Sequence, residues 1–157
     1  MRTAVVASAI VLVASGAATA AAHDSGRDAA DLLAAPGISL TVVERAVSDT
    51  VIDNGSPGDS IGDVIAFGNP IYNESNTVRI GRNQGSCVRT NPGRSFECEW
   101  TLILPEGQIV AQGPFKDRGP STMAITGGTG RYEHATGQMV LRARTATTYE
   151  FRYTILA

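Results

Sequence analysis

The sequence predicts an all-β domain of eight antiparallel strands, closed as an up-and-down barrel or packed as a sandwich. Three observations carry this prediction. Apolar and polar residues alternate with a period of two in the best-defined segments. Phe96, Cys98, Trp100, Leu102 and Leu104 oppose Glu97, Glu99 and Thr101, while Tyr149, Phe151, Tyr153 and Ile155 oppose Thr148, Glu150, Arg152 and Thr154. Turn residues punctuate the chain at short intervals, and no segment after Gly37 carries a long helical period.

The first strand is expected over residues 38–52, a run rich in Val, Thr and Ile. It ends in the dense turn signal Asp53-Asn54-Gly55-Ser56-Pro57-Gly58-Asp59. The second covers residues 63–72, and the third 77–90 with a bulge at Gly81 or Gly85. The fourth covers 95–104, closed by Pro105-Glu106-Gly107, and the fifth 108–115, followed by Asp117-Arg118-Gly119-Pro120. The sixth, 122–126, runs into Gly127-Gly128-Thr129-Gly130, read as a tight turn whose glycines supply positive φ. The seventh and eighth cover 137–145 and 147–156. Eight strands is about the number whose closed barrel encloses room for one small ligand.

The residues before this domain read differently. Met1-Arg2 is a short positive start, residues 4–14 are apolar apart from Ser8, and residues 15–22 are all small. This is the pattern of a secretory signal peptide over residues 1–22, with A-x-A cleavage after Ala20 or Ala22. The apolar run falls short of the roughly 20 residues that a membrane span needs. Residues 23–37 read as a flexible arm, leaving 38–157 for the barrel domain. The expected location is secreted, free of the membrane once the leader is cleaved.

Export changes the meaning of the two cysteines, because thiols outside the cytoplasm tend to pair. Cys87 and Cys98 lie symmetrically about Asn91-Pro92-Gly93, so a hairpin turning there sets them opposite each other. A Cys87–Cys98 disulfide and a reactive free thiol are the two alternatives.

Composition excludes several classes. The chain has 157 residues, of which 43% are hydrophobic, enough for a core. A net charge of −2 gives no electrostatic basis for nucleic acid as a partner. Two histidines and two cysteines would all be needed for one four-ligand zinc site, so no metal and no cofactor is expected. Gly58-Asp59-Ser60-Ile61-Gly62 matches the hydrolase pattern G-x-S-x-G, but lacks the strand-to-helix elbow that the chemistry requires. His134 is the sole credible base for it. Gly127-Gly128-Thr129-Gly130 is not followed by the helix that a nucleotide-binding loop needs.

Glu44 interrupts the apolar run Leu40-Thr41-Val42-Val43. If its face lines the barrel, it is a carboxyl in an apolar cavity, with a raised pKa or a partner, able to act as acid, base or cation stabiliser. If that face is outward, it is a surface glutamate beside Arg45. Periodicity leaves both open.

The order of motifs resembles the allene oxide cyclase and dirigent barrel superfamily. Gly62-Asp63-Val64-Ile65-Ala66-Phe67-Gly68-Asn69-Pro70-Ile71-Tyr72 resembles the G-D-x-x-x-F-x-N-x-x-Y segment of plant allene oxide cyclases. Gly85-Ser86-Cys87-Val88 is similar to their G-x-C-V, Val110 to Phe115 to V-x-Q-G-P-Y, and Ala124 to Gly130 to A-I-T-G-G-x-G. The last is also similar to a dirigent motif. The resemblance spans nearly all of the domain after Leu40. It implies an eight-stranded antiparallel up-and-down β-barrel with a hydrophobic cavity, often a homotrimer. It also implies cyclisation in which a first-strand glutamate favours a delocalised cation while asparagines position the reacting oxygen. The matching positions are Glu44 and Asn69 as catalytic candidates, with Cys87 and Phe115 as ligand-binding candidates. Trp100 and the tyrosines are further candidate walls. Two positions depart from the family pattern: Ala46 stands where a second polar residue is usual, and Phe115 where tyrosine is.

The expected function is therefore an exported barrel binding a small hydrophobic ligand, acting as a cofactor-independent cyclase or isomerase. The alternatives are a non-catalytic, dirigent-like protein that orients a ligand formed elsewhere, and a structural barrel filled by its own side chains.

Overall fold

A computed structural model of the protein describes residues 37–156. The predicted leader, and the arm apart from Gly37, lie outside the described residues. Nine strands follow one another: β1 (Ile38–Arg45), β2 (Thr50–Ile52), β3 (Val64–Asn73), β4 (Arg79–Asn91), β5 (Ser95–Leu104), β6 (Gly107–Lys116), β7 (Ser121–Gly130), β8 (Thr136–Ala143) and β9 (Thr148–Leu156). Each of β3 to β9 pairs antiparallel with its neighbour in sequence. β1 pairs with β9 on one side and β3 on the other, which closes the sheet. The result is an eight-staved antiparallel barrel in which β1 and β2 share one stave.

That shared stave corrects the expected continuous strand over 38–52. Glu44 lies opposite Ile71 and Thr50 opposite Ala66, so five residues (45–49) face four (67–70). The excess forms a strap over residues 46–49. Pro70 cannot donate to the ladder there, and the Asn69 side chain takes the strap's amides for itself: Oδ1 accepts from the N–H groups of Val47 (2.9 Å) and Ser48 (3.0 Å).

The period-two alternation becomes an inside and an outside. Phe96, Cys98, Trp100, Leu102 and Leu104 of β5 are all buried, as are Phe151, Tyr153 and Ile155 of β9. Leu102, Ile109, Met139, Tyr153 and Ile155 fill one end of the barrel as part of a single apolar cluster. The β4–β5 hairpin turns at Pro92-Gly93, where Gly93 has φ +70°. This sets Cys87 opposite Cys98, and the two form a disulfide.

Two glycine expectations change. The β4 irregularity falls at Ile80, beside Gly81, whereas Gly85 sits in regular register between Phe67 and Trp100. A side chain at Gly85 would run into the backbone and Cβ of Trp100, so its bareness lets the strands meet. Gly127-Gly128-Thr129-Gly130 is not a turn but the end of β7, paired with residues 107–110 of β6. At Gly128 a Cβ would collide with the carbonyl oxygens of Tyr132 and Gln108, so the glycine serves close backbone approach. Only Gly130 of this motif has positive φ (+61°), and the reversal itself falls in residues 131–135.

Candidate functional site

At the end of the barrel capped by the strap, the core is incomplete and leaves a cavity of about 130 Å³. An apolar cavity of about 150 Å³ holds a benzene molecule, so this space suits one ring, with more of a ligand able to extend through the mouth. Its walls are largely aromatic. Phe67 meets Trp100 edge to face at 5.9 Å across the bare position of Gly85. Trp100 stacks on Phe151 at 5.6 Å, and Phe115 meets Tyr149 edge to face at 6.5 Å. Five of the chain's nine Phe, Tyr and Trp side chains thus line one small space.

Glu44 points into this cavity and is 5% exposed. The alternative surface pairing with Arg45 does not form. The Arg45 guanidinium instead lies over the Tyr72 ring and donates to Asn76. The buried Asn83 amide donates to Glu44 Oε2 at 2.8 Å. Burial pushes the Glu44 carboxyl up to about 7. The Asn83 hydrogen bond opposes this shift, the charge of Asp49 adds to it, and the Asn69 amide opposes it more weakly. Asp49, on the strap, also lines the cavity, and its carboxylate accepts from Asn69 Nδ2 at 2.7 Å. The Tyr149 hydroxyl at the mouth is raised by burial and by the charges of Asp49 and Glu44.

Asn83 Oδ1, Trp100 Nε1 and the Tyr153 hydroxyl are buried and, among the described residues, meet no hydrogen-bond partner in good geometry. Burial holds the Tyr153 hydroxyl well above its ordinary range, with the Trp100 N–H and the charge of Glu44 acting on it in opposite senses. Such atoms are costly to bury unpaired, and they make this part of the interior more polar than its carbon walls suggest.

The structure brings Glu44, Phe115, Trp100 and Cys87 together at one cavity. The Cys87 sulfur is committed to the disulfide and still forms part of the wall. Asn69 is fully buried but does not line the cavity. Its side chain holds the strap and, through it, Asp49. Sequence reading missed Asp49 and Asn83. Asn83 could have been found by counting back from Cys87 in steps of two along β4, but Gly85 breaks the visible apolar row. His134 is exposed in the β7–β8 connection, and the Ser60 hydroxyl donates within its own loop, to the Asn54 carbonyl. The hydrolase pattern is thus a turn. Among the described residues no group of three His, Cys, Asp or Glu side chains could hold a metal ion.

The fold and the site together define a closed antiparallel barrel with one buried carboxyl facing an aromatic cavity. The chain belongs to the allene oxide cyclase family, whose sequence model matches residues 43–156. Among solved structures it is similar to a pyocyanin demethylase (28% identity, TM-score 0.64), over 73% of this chain and 98% of that one. It is similar in fold to the pterocarpan synthase dirigent protein PsPTS1 (16% identity, TM-score 0.66), over 76% and 94% of the respective chains. It also matches the Diels-Alderase AbmU from Streptomyces koyangensis (19% identity, TM-score 0.60), over 80% and 67%.

Proposed function

We propose that this protein binds a small hydrophobic ligand in the strap-end cavity and acts on it as a cofactor-independent cyclase or isomerase, with Glu44 as its proton donor and cation-stabilising group. The observation that carries this reading is a carboxyl that titrates near neutrality, facing an aromatic cavity about one ring in size. Near pH 7 such a group is present in both forms. The acid can protonate a ligand oxygen, and the carboxylate can stabilise positive charge that develops as a bond opens. The aromatic walls restrict the ligand's conformation and exclude water, which favours ring closure in one geometry. Asn83 fixes the carboxyl, and Asn69 sets the strap that borders the mouth. The 28% identical neighbour carries an enzyme's name, which favours catalysis over binding alone. Residues 1–22 and the paired cysteines support export, with removal of the leader near Ala20 or Ala22.

The test is native isolation of the protein with mass spectrometry of the ligand it carries, followed by turnover of that ligand. Wild type should convert it, and Glu44→Gln should bind it without conversion. Equal turnover by Glu44→Gln would remove Glu44 from the chemistry. Binding without conversion by wild type would favour the dirigent-like alternative.

A further inference from the structure

The cavity's charge is as informative as its shape. Two carboxyl groups, Glu44 and Asp49, line it together with five aromatic rings, and among the described residues no lysine, arginine or histidine does. The nearest cation in the inward row of β4, Arg89, lies over the Phe96 ring. Asp59 and Asp117 hold it at 2.6 Å each. Arg45, next to Glu44 in sequence, lies over Tyr72. Among the described residues the cavity therefore has two carboxyl groups, Glu44 buried and Asp49 exposed on the strap, and no lining cation to balance them. A carboxylate taken out of water without a positive partner, as ionised Glu44 is, is costly. The faces of Phe67, Trp100, Phe115, Tyr149 and Phe151 present negative quadrupole density, which favours positive charge over the rings. An anionic ligand would meet repulsion from both sources.

We propose that the ligand of this cavity is a planar heteroaromatic molecule carrying delocalised positive charge, held between the aromatic rings and neutralised by Glu44 and Asp49. This rests on reading the cavity as a ligand site and adds the chemical class of the ligand. The size agrees, since about 130 Å³ admits one ring with a second at the mouth. The pH dependence follows from the groups facing Glu44: Asp49 on the strap, Tyr149 and Tyr153 on β9, and the uncharged Asn83 on β4. None of these is positive. As pH rises through about 7, Glu44 loses its proton and the cavity gains negative charge, so a cation binds more tightly. A neutral ligand gains nothing from this change.

The experiment compares three bicyclic probes of similar size on the full-length protein: N-methylquinolinium, quinoline (uncharged at pH 8) and 1-naphthoate. Binding is followed by calorimetry and by emission from Trp100, the chain's single tryptophan. N-methylquinolinium should bind about tenfold more tightly than quinoline at pH 8, and 1-naphthoate weakest of all. The preference for the cation should shrink at pH 6, where quinoline remains largely uncharged, and in Glu44→Gln and Asp49→Asn. Because the wild-type pH comparison uses no variant, a variant that fails to fold does not spoil the test. Quinoline binding as tightly as N-methylquinolinium, or 1-naphthoate binding best, would overturn the ligand class and leave the cavity a ligand site. Failure of all three to bind would overturn both readings.

Discussion

At the residue scale the proposed chemistry turns on Glu44, and periodicity could not orient it for a physical reason. Alternation identifies an inward face only where the other face is polar, yet Val42, Val43 and Glu44 are buried in succession. The period-two signal therefore vanishes where it was needed. Trp100 was legible because its strand keeps one polar side, and Phe115 through its place in the motif resembling V-x-Q-G-P-Y. Asp49 was not, since a strap residue belongs to no periodic row. A raised carboxyl pKa also affects stability. The folded protein holds the Glu44 proton more tightly than the unfolded chain does, so this residue's contribution weakens as pH rises from about 4.5 to about 7. Glu44→Gln should therefore be more stable relative to wild type at pH 8 than at pH 5, by up to a few kcal/mol. Urea unfolding at the two pH values measures this, and a difference independent of pH would contradict it.

At the element scale the strap and the disulfide hairpin shape the mouth. The strap's amides depend on Asn69, so Asn69→Ala should speed hydrogen exchange at Val47 and Ser48 and cost about 1–2 kcal/mol. Unchanged exchange at those two amides would show that the strap holds itself. The hairpin was legible because Pro92-Gly93 fixed its centre, and register then set Cys87 opposite Cys98. With 11 residues of separation, loss of the bond in Cys87→Ala/Cys98→Ala should lower stability by about 3 kcal/mol through loop closure. A midpoint in urea equal to that of wild type would contradict this. Gly128 misled because glycine signals both turns and close backbone contact. Its neighbours in space, Tyr132 and Gln108, cannot be read from local sequence.

At the scale of the whole molecule, up-and-down connectivity gives local pairings everywhere except at closure, where β1 must meet β9 at the far end of the chain. Long-range pairing of this kind is slow to form. Trp100 emission in stopped-flow refolding should relax over milliseconds to seconds, and a microsecond phase carrying the full amplitude would contradict closure as the limiting event. Closure also explains the site. Leu102, Ile109, Met139, Tyr153 and Ile155 pack together away from the strap, while the cavity lies beside the strap between β1 and β2. The all-β class and eight staves were legible from period and turns, and the barrel from the family resemblance. The cavity was not, because it depends on which inward positions lack bulk on several strands at once.

The proposed function requires Glu44 to be a desolvated acid poised near neutrality. Its carboxyl carbon, followed by NMR across pH 3 to 9 and assigned by its absence in Glu44→Gln, measures this directly. A desolvated Glu44 gives a midpoint near 7. A midpoint near the ordinary 4.5 would show a solvated side chain and remove the basis of the proposed function.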